Sequence, residues 1–295
     1  MKDELISPNY NLTSSKNKPY RRKLFKIEGL FKQIILIASS IIALYPVYWL
    51  ISMSFKNREQ YLVDKFSFSW PLHLSSFVEA IKGGKFLLWF LNTTILTVGA
   101  LILCTTIAII AAFAFAKMKF KGQDFIMNIL ISVMVIPAVI LIVPLYILYT
   151  QTNLMSTYQG MIIIYTAVCL PFSVYLLTNF FKTIPNEIIE ASIIDGCSNF
   201  RILTSIVIPL SGPPITTLII VNAIWMWNEL LLALIFLPKD KFRTLMVGIT
   251  VFKSKFNLDI PVTMAGLLLV TIPIVLLYII FQKFFIRGLT AGSIK

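Results

Sequence analysis

The sequence predicts an all-α polytopic membrane protein with six transmembrane helices. Of its 295 residues, 58% are hydrophobic and only 13% are charged, and the mean hydropathy is +0.85. A soluble domain usually carries about 45–50% apolar and roughly 25% charged residues, so a soluble globular fold is excluded. Uncharged runs recur along the chain, each long enough to cross a hydrocarbon core of ~30 Å. These runs are continuously apolar rather than alternating, which excludes a transmembrane β-barrel.

Six apolar segments define the predicted spans, and Glu229 is the one charged residue within them. A run without any ionisable side chain of Asp, Glu, Lys, Arg or His extends from Phe125 to Phe181, too long for one crossing, and the polar stretch at 149–159 divides it in two. A later run, Ile202–Pro238, contains Pro209 and then Ser-Gly-Pro-Pro at 211–214, which stop a continuous helix near its start. The predicted spans, within a membrane domain at 33–295, are 34–55, 86–116, 125–148, 158–181, 213–237 and 260–282.

Lysine and arginine residues set the predicted orientation. Lys117, Lys119 and Lys121 follow the second span, whereas the connection at 149–159 has no basic residue. Because basic loops stay on the cytoplasmic side, both termini are predicted to be cytoplasmic. A basic tail then occupies 1–32 and a C-terminal tail occupies 283–295. The same residues account for the net charge of +13 without nucleic-acid binding. The first span is predicted to remain as an anchor, because no small-residue cleavage site follows it.

A charged loop at 183–211, between the fourth and fifth spans, predicts two short cytoplasmic helices. Pro185 suits a first helical turn, acidic residues such as Glu190 favour the positive end of the helix dipole, and Gly196 supplies a left-handed stop. Ser198 offers an N-cap for a second helix, which a proline then ends or kinks. From this pattern alone, the loop either only connects two spans or forms a docking surface for a soluble partner.

Glu229 is the only acidic residue inside any predicted span. A carboxylate at that depth is costly, so it is expected to face a polar cavity or a partner rather than lipid. Trp225, Trp227 and Asn228 lie next to it and add aromatic faces and an amide, a combination that suits sugar hydroxyls and pyranose rings. Trp227, Asn228 and Glu229 are therefore the candidate residues of a substrate pathway. The alternative is an interfacial aromatic anchor with a snorkelling acid.

The sequence contains no recognisable catalytic or metal-binding constellation. It lacks the G-x-x-x-x-G-K-[ST] and G-x-G-x-x-G patterns, its single histidine is His73, and its three cysteines are scattered. We therefore expect no enzyme activity, no metal and no cofactor in this chain. Proton-coupled carriers usually have several ionisable residues inside the membrane, and these spans do not. Uphill transport would then need energy from another chain.

Several motifs resemble those of one transporter family. Glu190-Ala191-Ser192, then Gly196 after three residues and Ile206-Val-Ile-Pro209 after nine more, resembles the EAA loop of ABC importer permeases, E-A-A-x3-G-x9-I-x-L-P. Ser192 and Ile208 are mild departures from that form. Further segments are similar to the shorter, six-span permease subunit of maltose-type and multiple-sugar importers: Asn92-Thr93-Thr94, the turn at 114–122, the Trp227-Asn228-Glu229 segment, Thr244-Leu245 with Val247-Gly248, and the C-terminal segment 285–295.

The resemblance implies a sugar or oligosaccharide permease in a bacterial cytoplasmic membrane. It also implies a second, related permease, two ATPase subunits that bind ATP and Mg, and an extracytoplasmic sugar-binding protein. The residues that it assigns to ATPase coupling are Glu190, Ala191, Ser192, Asp195, Gly196, Ile206 and Pro209, and those that it assigns to C-terminal contacts with the ATPase are Gly288, Leu289, Thr290 and Gly292. A permease for glycerol-3-phosphate or another small polar solute, and an ATP-independent channel or secondary carrier, are the alternatives.

Overall fold

The structure is a computed structural model that describes residues 20–68, 70–82, 85–255 and 259–290, with side chains from residue 30 onward except at 251–255, 281 and 283–290. Helices and connections account for all of these residues, and no β-strand occurs among them. The helices are α1 (Tyr20–Ser54), α2 (Arg58–Val63), α3 (Ser75–Lys82), α4 (Phe86–Lys117), α5 (Gln123–Val135), α6 (Ile142–Gln151), α7 (Tyr158–Thr183), α8 (Asn186–Ile194), α9 (Asn199–Ile202), α10 (Ile208–Leu210), α11 (Gly212–Asn228), α12 (Leu231–Phe236), α13 (Leu245–Lys255) and α14 (Ile260–Thr290). Single-turn 3-10 segments occupy Ala138–Leu141 and Asp240–Phe242, and a π-helical segment occupies Leu203–Val207.

The chain divides into two compact units, one up to Trp49 and one from Leu50 onward. The first unit contains most of α1, and its large apolar side chains between Leu30 and Tyr48 are exposed. A helix with apolar side chains all around it is suited to lipid, because its backbone groups are satisfied within the helix.

The described helices account for four to six membrane crossings. Four are long and apolar enough on their own: Leu30–Ser54, Phe86–Lys117, Tyr158–Thr183 and Ile260–Ile280. Two bent pairs bring the number to six when each pair is one span: Gln123–Val135 with Ala138–Gln151, and Asn199–Leu210 with Gly212–Asn228. The predicted class, an all-α polytopic membrane protein, is confirmed.

Two of the predicted spans are discontinuous, which corrects the sequence-based expectation of single helices at 125–148 and 213–237. The first breaks between Val135 and Ala138 and bends by 95°. Pro137 lies at this break and cannot donate a backbone hydrogen bond. In the second, α11 ends at Asn228 and α12 starts at Leu231. No proline lies at that break, and a side-chain cap from Glu229 accounts for it.

The terminal helices are longer than the predicted spans. Helix α1 begins at Tyr20 rather than at residue 34, and α14 continues to Thr290 rather than ending at 282. The additional residues at both ends include lysine and arginine, which are good helix formers and remain compatible with the helix beyond the apolar run. Residues 1–19 of the predicted basic tail lie outside the described residues.

A stripe of small residues joins α4 to α7, the most extensive helix pair in the second unit. Ala100, Cys104, Ala108 and Ala112 recur at every fourth position of α4 and are completely buried. Residues four apart lie on one face of a helix, and small side chains let two backbones approach closely within a membrane. Where the stripe passes Cys104, Asn222 of α11 donates a hydrogen bond to Ser173 Oγ of α7 at 2.9 Å. The three helices thus share one core.

The connection between α1 and α4 is ordered by its own polar contacts. Lys56 is completely buried and its Nζ donates to the Asp64 carbonyl oxygen at 2.6 Å. Ser76 Oγ on α3 donates to the carbonyl oxygen of Lys56 at 2.8 Å. Hydrogen bonds from the Ser67 hydroxyl and from the N–H groups of Phe66 and Ser67 lower the pKa of the Asp64 carboxyl from 3.8 to about 2. These contacts hold α2 and α3 in a defined arrangement.

Candidate functional site

Both helix breaks border one cavity, and a second cavity lies beside it. One cavity, of about 520 Å3, is lined by Ala138 and Val139 after the first break and by residues 228–232 around the second. A neighbouring cavity, of about 590 Å3, is lined by Pro137 and Ala138 and by residues of α5, α6 and α7. Trp225 lines both cavities. Broken helices within a membrane protein occur where the backbone is buried in protein or lines a cavity, so this region is the candidate site.

Glu229 forms the second break by capping α12. Its Oε1 accepts the N–H of Leu232 at 2.7 Å and its Oε2 accepts the N–H of Ala233 at 2.9 Å. The first N–H groups of a helix have no partner within it. A carboxylate at that end is also attracted by the positive end of the helix dipole. The carboxylate therefore lines the cavity while both of its oxygens are engaged with the backbone.

Tyr165 on α7 contacts both Glu229 and Trp225. The hydroxyl of Tyr165 on α7 donates to Glu229 Oε2 at 3.3 Å. The Tyr165 ring meets the Trp225 ring edge to face, with centroids 5.8 Å apart and an interplanar angle of 79°. One ring thus contacts both the cap and the indole. Because residues 225 and 229 are one helical turn apart, they share a face, and this spacing was visible in the sequence.

The three predicted pathway residues do not point the same way. Asn228 and Glu229 line the cavity, and Asn228 is exposed, with its Nδ2 donating to the Ile224 carbonyl oxygen at 2.8 Å. Trp227 is buried on another face, where its Nε1 donates to the Val270 carbonyl oxygen at 3.3 Å and its ring packs edge to face on Phe90. Trp225 rather than Trp227 provides the aromatic surface of the cavity.

The loop at 183–211 contains a compact helical elbow. In helix α8, Ile189 and Ser192 are buried, Ile189 in a cluster with residues of α4 and α7, whereas Glu190, Ala191 and Asp195 are exposed. Gly196 follows with φ of +77°, a conformation that glycine adopts without the steric cost of a Cβ. The turn is closed by hydrogen bonds from the N–H of Gly196 to the Ile193 carbonyl oxygen and from the N–H of Cys197 to the Ser192 carbonyl oxygen.

The second half of the elbow begins with a capped helix. Ser198 Oγ accepts the N–H of Arg201 at 3.3 Å, as the sequence predicted for an N-cap. Ile206 is half-buried in the π-helical segment and Pro209 is exposed in α10. The backbone then turns by 79° into α11. The predicted coupling residues Glu190, Ala191, Asp195, Gly196 and Pro209 are therefore exposed, whereas Ser192 is buried.

The residues predicted to contact the ATPase near the C-terminus lie at the end of the described part of the chain. Gly288, Leu289 and Thr290 belong to the last turn of α14, where only the backbone is described. Gly292 lies outside the described residues.

Comparison with known proteins identifies the family. Residues 104–291 match the family described as "Binding-protein-dependent transport system inner membrane component". The chain belongs to this family. It is 32% identical over 95% of its length to the "Probable ABC transporter permease protein YurM" of Bacillus subtilis strain 168, and it covers 92% of that protein. The "Trehalose/maltose transport system permease protein MalG" of Thermococcus litoralis is 31% identical, with 91% of this chain and 99% of that protein covered.

A solved structure confirms the fold of the permease. A chain from a bacterial ABC transporter involved in the import of the acidic polysaccharide alginate superimposes with a TM-score of 0.77. The alignment covers 95% of this chain and all of that one, at 22% identity. The prediction of an ABC importer permease, a multi-pass membrane component, is thus confirmed.

Proposed function

We propose that this permease imports a sugar or oligosaccharide and that the solute passes through the cavities between the two helix breaks. The observation that supports the path most directly is the lining of these cavities. Trp225 presents an aromatic ring to both of them, and Asn228 adds an exposed amide. Pyranose rings stack on aromatic faces while their hydroxyls bind amides. A relative that is named for trehalose and maltose transport supports the same class of solute.

The cavity lining disfavours a phosphorylated solute such as glycerol-3-phosphate. Among the described residues that line the two cavities there is no lysine or arginine. A phosphate group carries a negative charge and is usually bound by arginine or lysine side chains or by helix N-termini. Here the N-terminus of α12 is already occupied by the Glu229 carboxylate.

The proposal places this chain in a larger complex. It pairs with a second permease, two ATPase subunits bind ATP and Mg, and an extracytoplasmic binding protein delivers the sugar. Both termini then lie in the cytoplasm of a bacterial cell, and the elbow at 183–211 contacts the ATPase. The exposed residues Glu190, Ala191, Asp195 and Gly196 support this assignment, since a docking surface requires accessible side chains. The last turn of α14 would add contacts.

Uptake measurements in a strain deleted for this gene test the proposal. The chain should restore uptake of at least one labelled sugar in a panel that also contains glycerol-3-phosphate. Trp225→Ala should lower that uptake about tenfold or more, because stacking is lost, whereas Trp225→Phe should retain much of it. Glu190→Lys should abolish uptake without lowering the amount of protein in the membrane. Glu79→Lys, an exposed acid on α3, is the matched control.

Two outcomes would contradict the proposal. Restoration of glycerol-3-phosphate uptake alone would contradict the assignment to sugars. Full uptake by the Glu190→Lys variant would contradict the assignment of the elbow to the ATPase.

A further inference from the structure

Lys117, the last residue of α4, is hydrogen-bonded to the beginning of the elbow. Its Nζ donates to the Ile184 carbonyl oxygen at 2.6 Å and to Asn186 Oδ1 at 2.8 Å. Asn186 is the first residue of α8, and Ile184 is the residue that follows α7. Charge-assisted hydrogen bonds are roughly twice as strong as neutral ones, so this is a firm connection between two segments that are far apart in sequence.

Near its other end, α4 is hydrogen-bonded to the loop that follows α12. Asn92 is completely buried, and its Nδ2 donates to the carbonyl oxygens of Lys241 at 3.0 Å and Arg243 at 2.8 Å. Its Oδ1 accepts the hydroxyl of Tyr158 at 2.6 Å. One residue further on, Thr93 Oγ1 accepts the N–H of Leu245 at 2.8 Å. The amide of Asn92 therefore has partners on both its nitrogen and its oxygen.

Between these two ends, α4 is suited to behave as a rigid rod. Its 32 residues contain no proline, whereas α7 contains Pro171 and α14 contains Pro273. Proline within a helix removes a backbone hydrogen bond and favours bending. Asn92 and Lys117 are 25 positions apart on α4, which at a rise of ~1.5 Å per residue is about 38 Å, more than the ~30 Å of a hydrocarbon core. We therefore expect the two hydrogen-bonded positions to lie on opposite sides of the membrane.

We propose that α4 is a strut that transmits motion between the elbow and the loop at 239–245. Lys117 and Asn92 are then positioning residues, which act through the two loops that they hold. The inference rests on the proposed function, because it requires an ATPase that moves the elbow. When the ATPase displaces α8, Lys117 carries α4 with it, and Asn92 and Thr93 move the distant loop. Coupling between sites is reciprocal, so a binding protein on that loop would act back on the ATPase.

The strut also explains three of the motifs in the sequence. The segment Asn92-Thr93-Thr94, the turn at 114–122 and the segment Thr244-Leu245 are separate in the chain. Two of them meet where Thr93 Oγ1 accepts the N–H of Leu245, and Lys117 of the third donates hydrogen bonds to the start of the elbow. A further close approach supports the junction, since a Cβ on Gly248 of α13 would lie 2.1 Å from the Trp89 ring of α4.

The test uses the complete transporter in liposomes, with its partner permease, its ATPase and the sugar-loaded binding protein. The readouts are sugar uptake and the ratio of ATP hydrolysis with binding protein to hydrolysis without it. Lys117→Met should lower that ratio at least fivefold, and Lys117→Arg should recover at least half of it. Lys119→Met removes the same charge from an exposed neighbour in the same turn and should behave as wild type.

A second set of variants tests whether both ends belong to one device. Thr93→Val keeps the side-chain volume but loses the acceptor for Leu245, so it should lower the same ratio. The double variant, Lys117→Met with Thr93→Val, should lower the ratio no further than the more impaired of the two single variants does. Once one end of α4 is released, the other end has no motion to transmit. Thermal unfolding of each purified complex checks that the variants remain folded.

The outcomes distinguish the strut from the proposed function. If the wild-type complex hydrolyses ATP without any response to the binding protein and moves no sugar, the proposed function fails and the strut fails with it. If the wild type responds and Lys117→Met matches Lys119→Met, the strut alone is wrong. The strut is also wrong if the losses of the two single variants multiply in the double variant.

Discussion

The two helix breaks beside the cavities have different physical origins. The break between α5 and α6 contains Pro137, and Ile136 and Pro137 both have extended backbone angles without a side-chain cap. The break between α11 and α12 contains no proline and depends on the carboxylate of Glu229. One break is thus encoded by a residue that cannot continue a helix. The other is encoded by a side chain that offers the backbone a better partner than the helix does.

The largest effect is expected from Glu229→Leu. This change leaves the N–H groups of Leu232 and Ala233 without their acceptors in a half-buried place, so the free energy of unfolding should fall by about 2–3 kcal/mol. Thermal unfolding of the purified protein in detergent measures it. Glu229→Gln keeps one acceptor oxygen and should lie between the variant and wild type. Asn228→Leu, at the exposed neighbouring position, is the control, and an equal loss of stability in both leucine variants would refute the cap.

A smaller effect is expected from Tyr165→Phe. The variant removes the hydroxyl that donates to Glu229 Oε2 at 3.3 Å but keeps the ring that packs on Trp225. We expect a loss of about 1 kcal/mol in the free energy of unfolding, in line with one neutral-to-charged hydrogen bond of modest geometry. Tyr175→Phe removes an exposed hydroxyl from the same helix and should have no effect. A larger loss than that of Glu229→Leu would mean that Tyr165, and not the cap, maintains the break.

The smallest effect is expected from Pro137→Ala. Alanine adopts the backbone angles of this residue, φ −60° and ψ 130°, without strain, so the folded state loses little. The unfolded chain gains freedom, which should lower the free energy of unfolding by about 0.5 kcal/mol. Sugar uptake measured beside stability shows whether the bend persists. A loss as large as that of Glu229→Leu would show that the first break also depends on its residue type for stability.

The sequence predicted the class of a helical, multi-pass membrane protein, because long apolar runs indicate membrane-spanning helices. It also predicted the turn at Gly196 and the N-cap at Ser198, since both depend on neighbouring residues only. The helix break at Glu229 could not be predicted from the sequence, because the apolar run around it looks like one continuous helix. The carboxylate is also held by the Tyr165 hydroxyl, which comes from another helix. Helical spacing places Trp225, rather than the predicted pathway residue Trp227, on the face of Glu229. The hydrogen bonds of Lys117 and Asn92 join segments that are far apart in the chain, so no local sequence pattern could predict them.

The stripe of small residues along α4 has a mechanical consequence. Ala100, Cys104, Ala108 and Ala112 repeat with the spacing of about one helical turn, and each sits against α7 without free space. A slide of α4 by a fraction of a turn would drive larger side chains into the positions of the small ones. The stripe therefore favours movement of α4 and α7 as one body over sliding of one helix past the other.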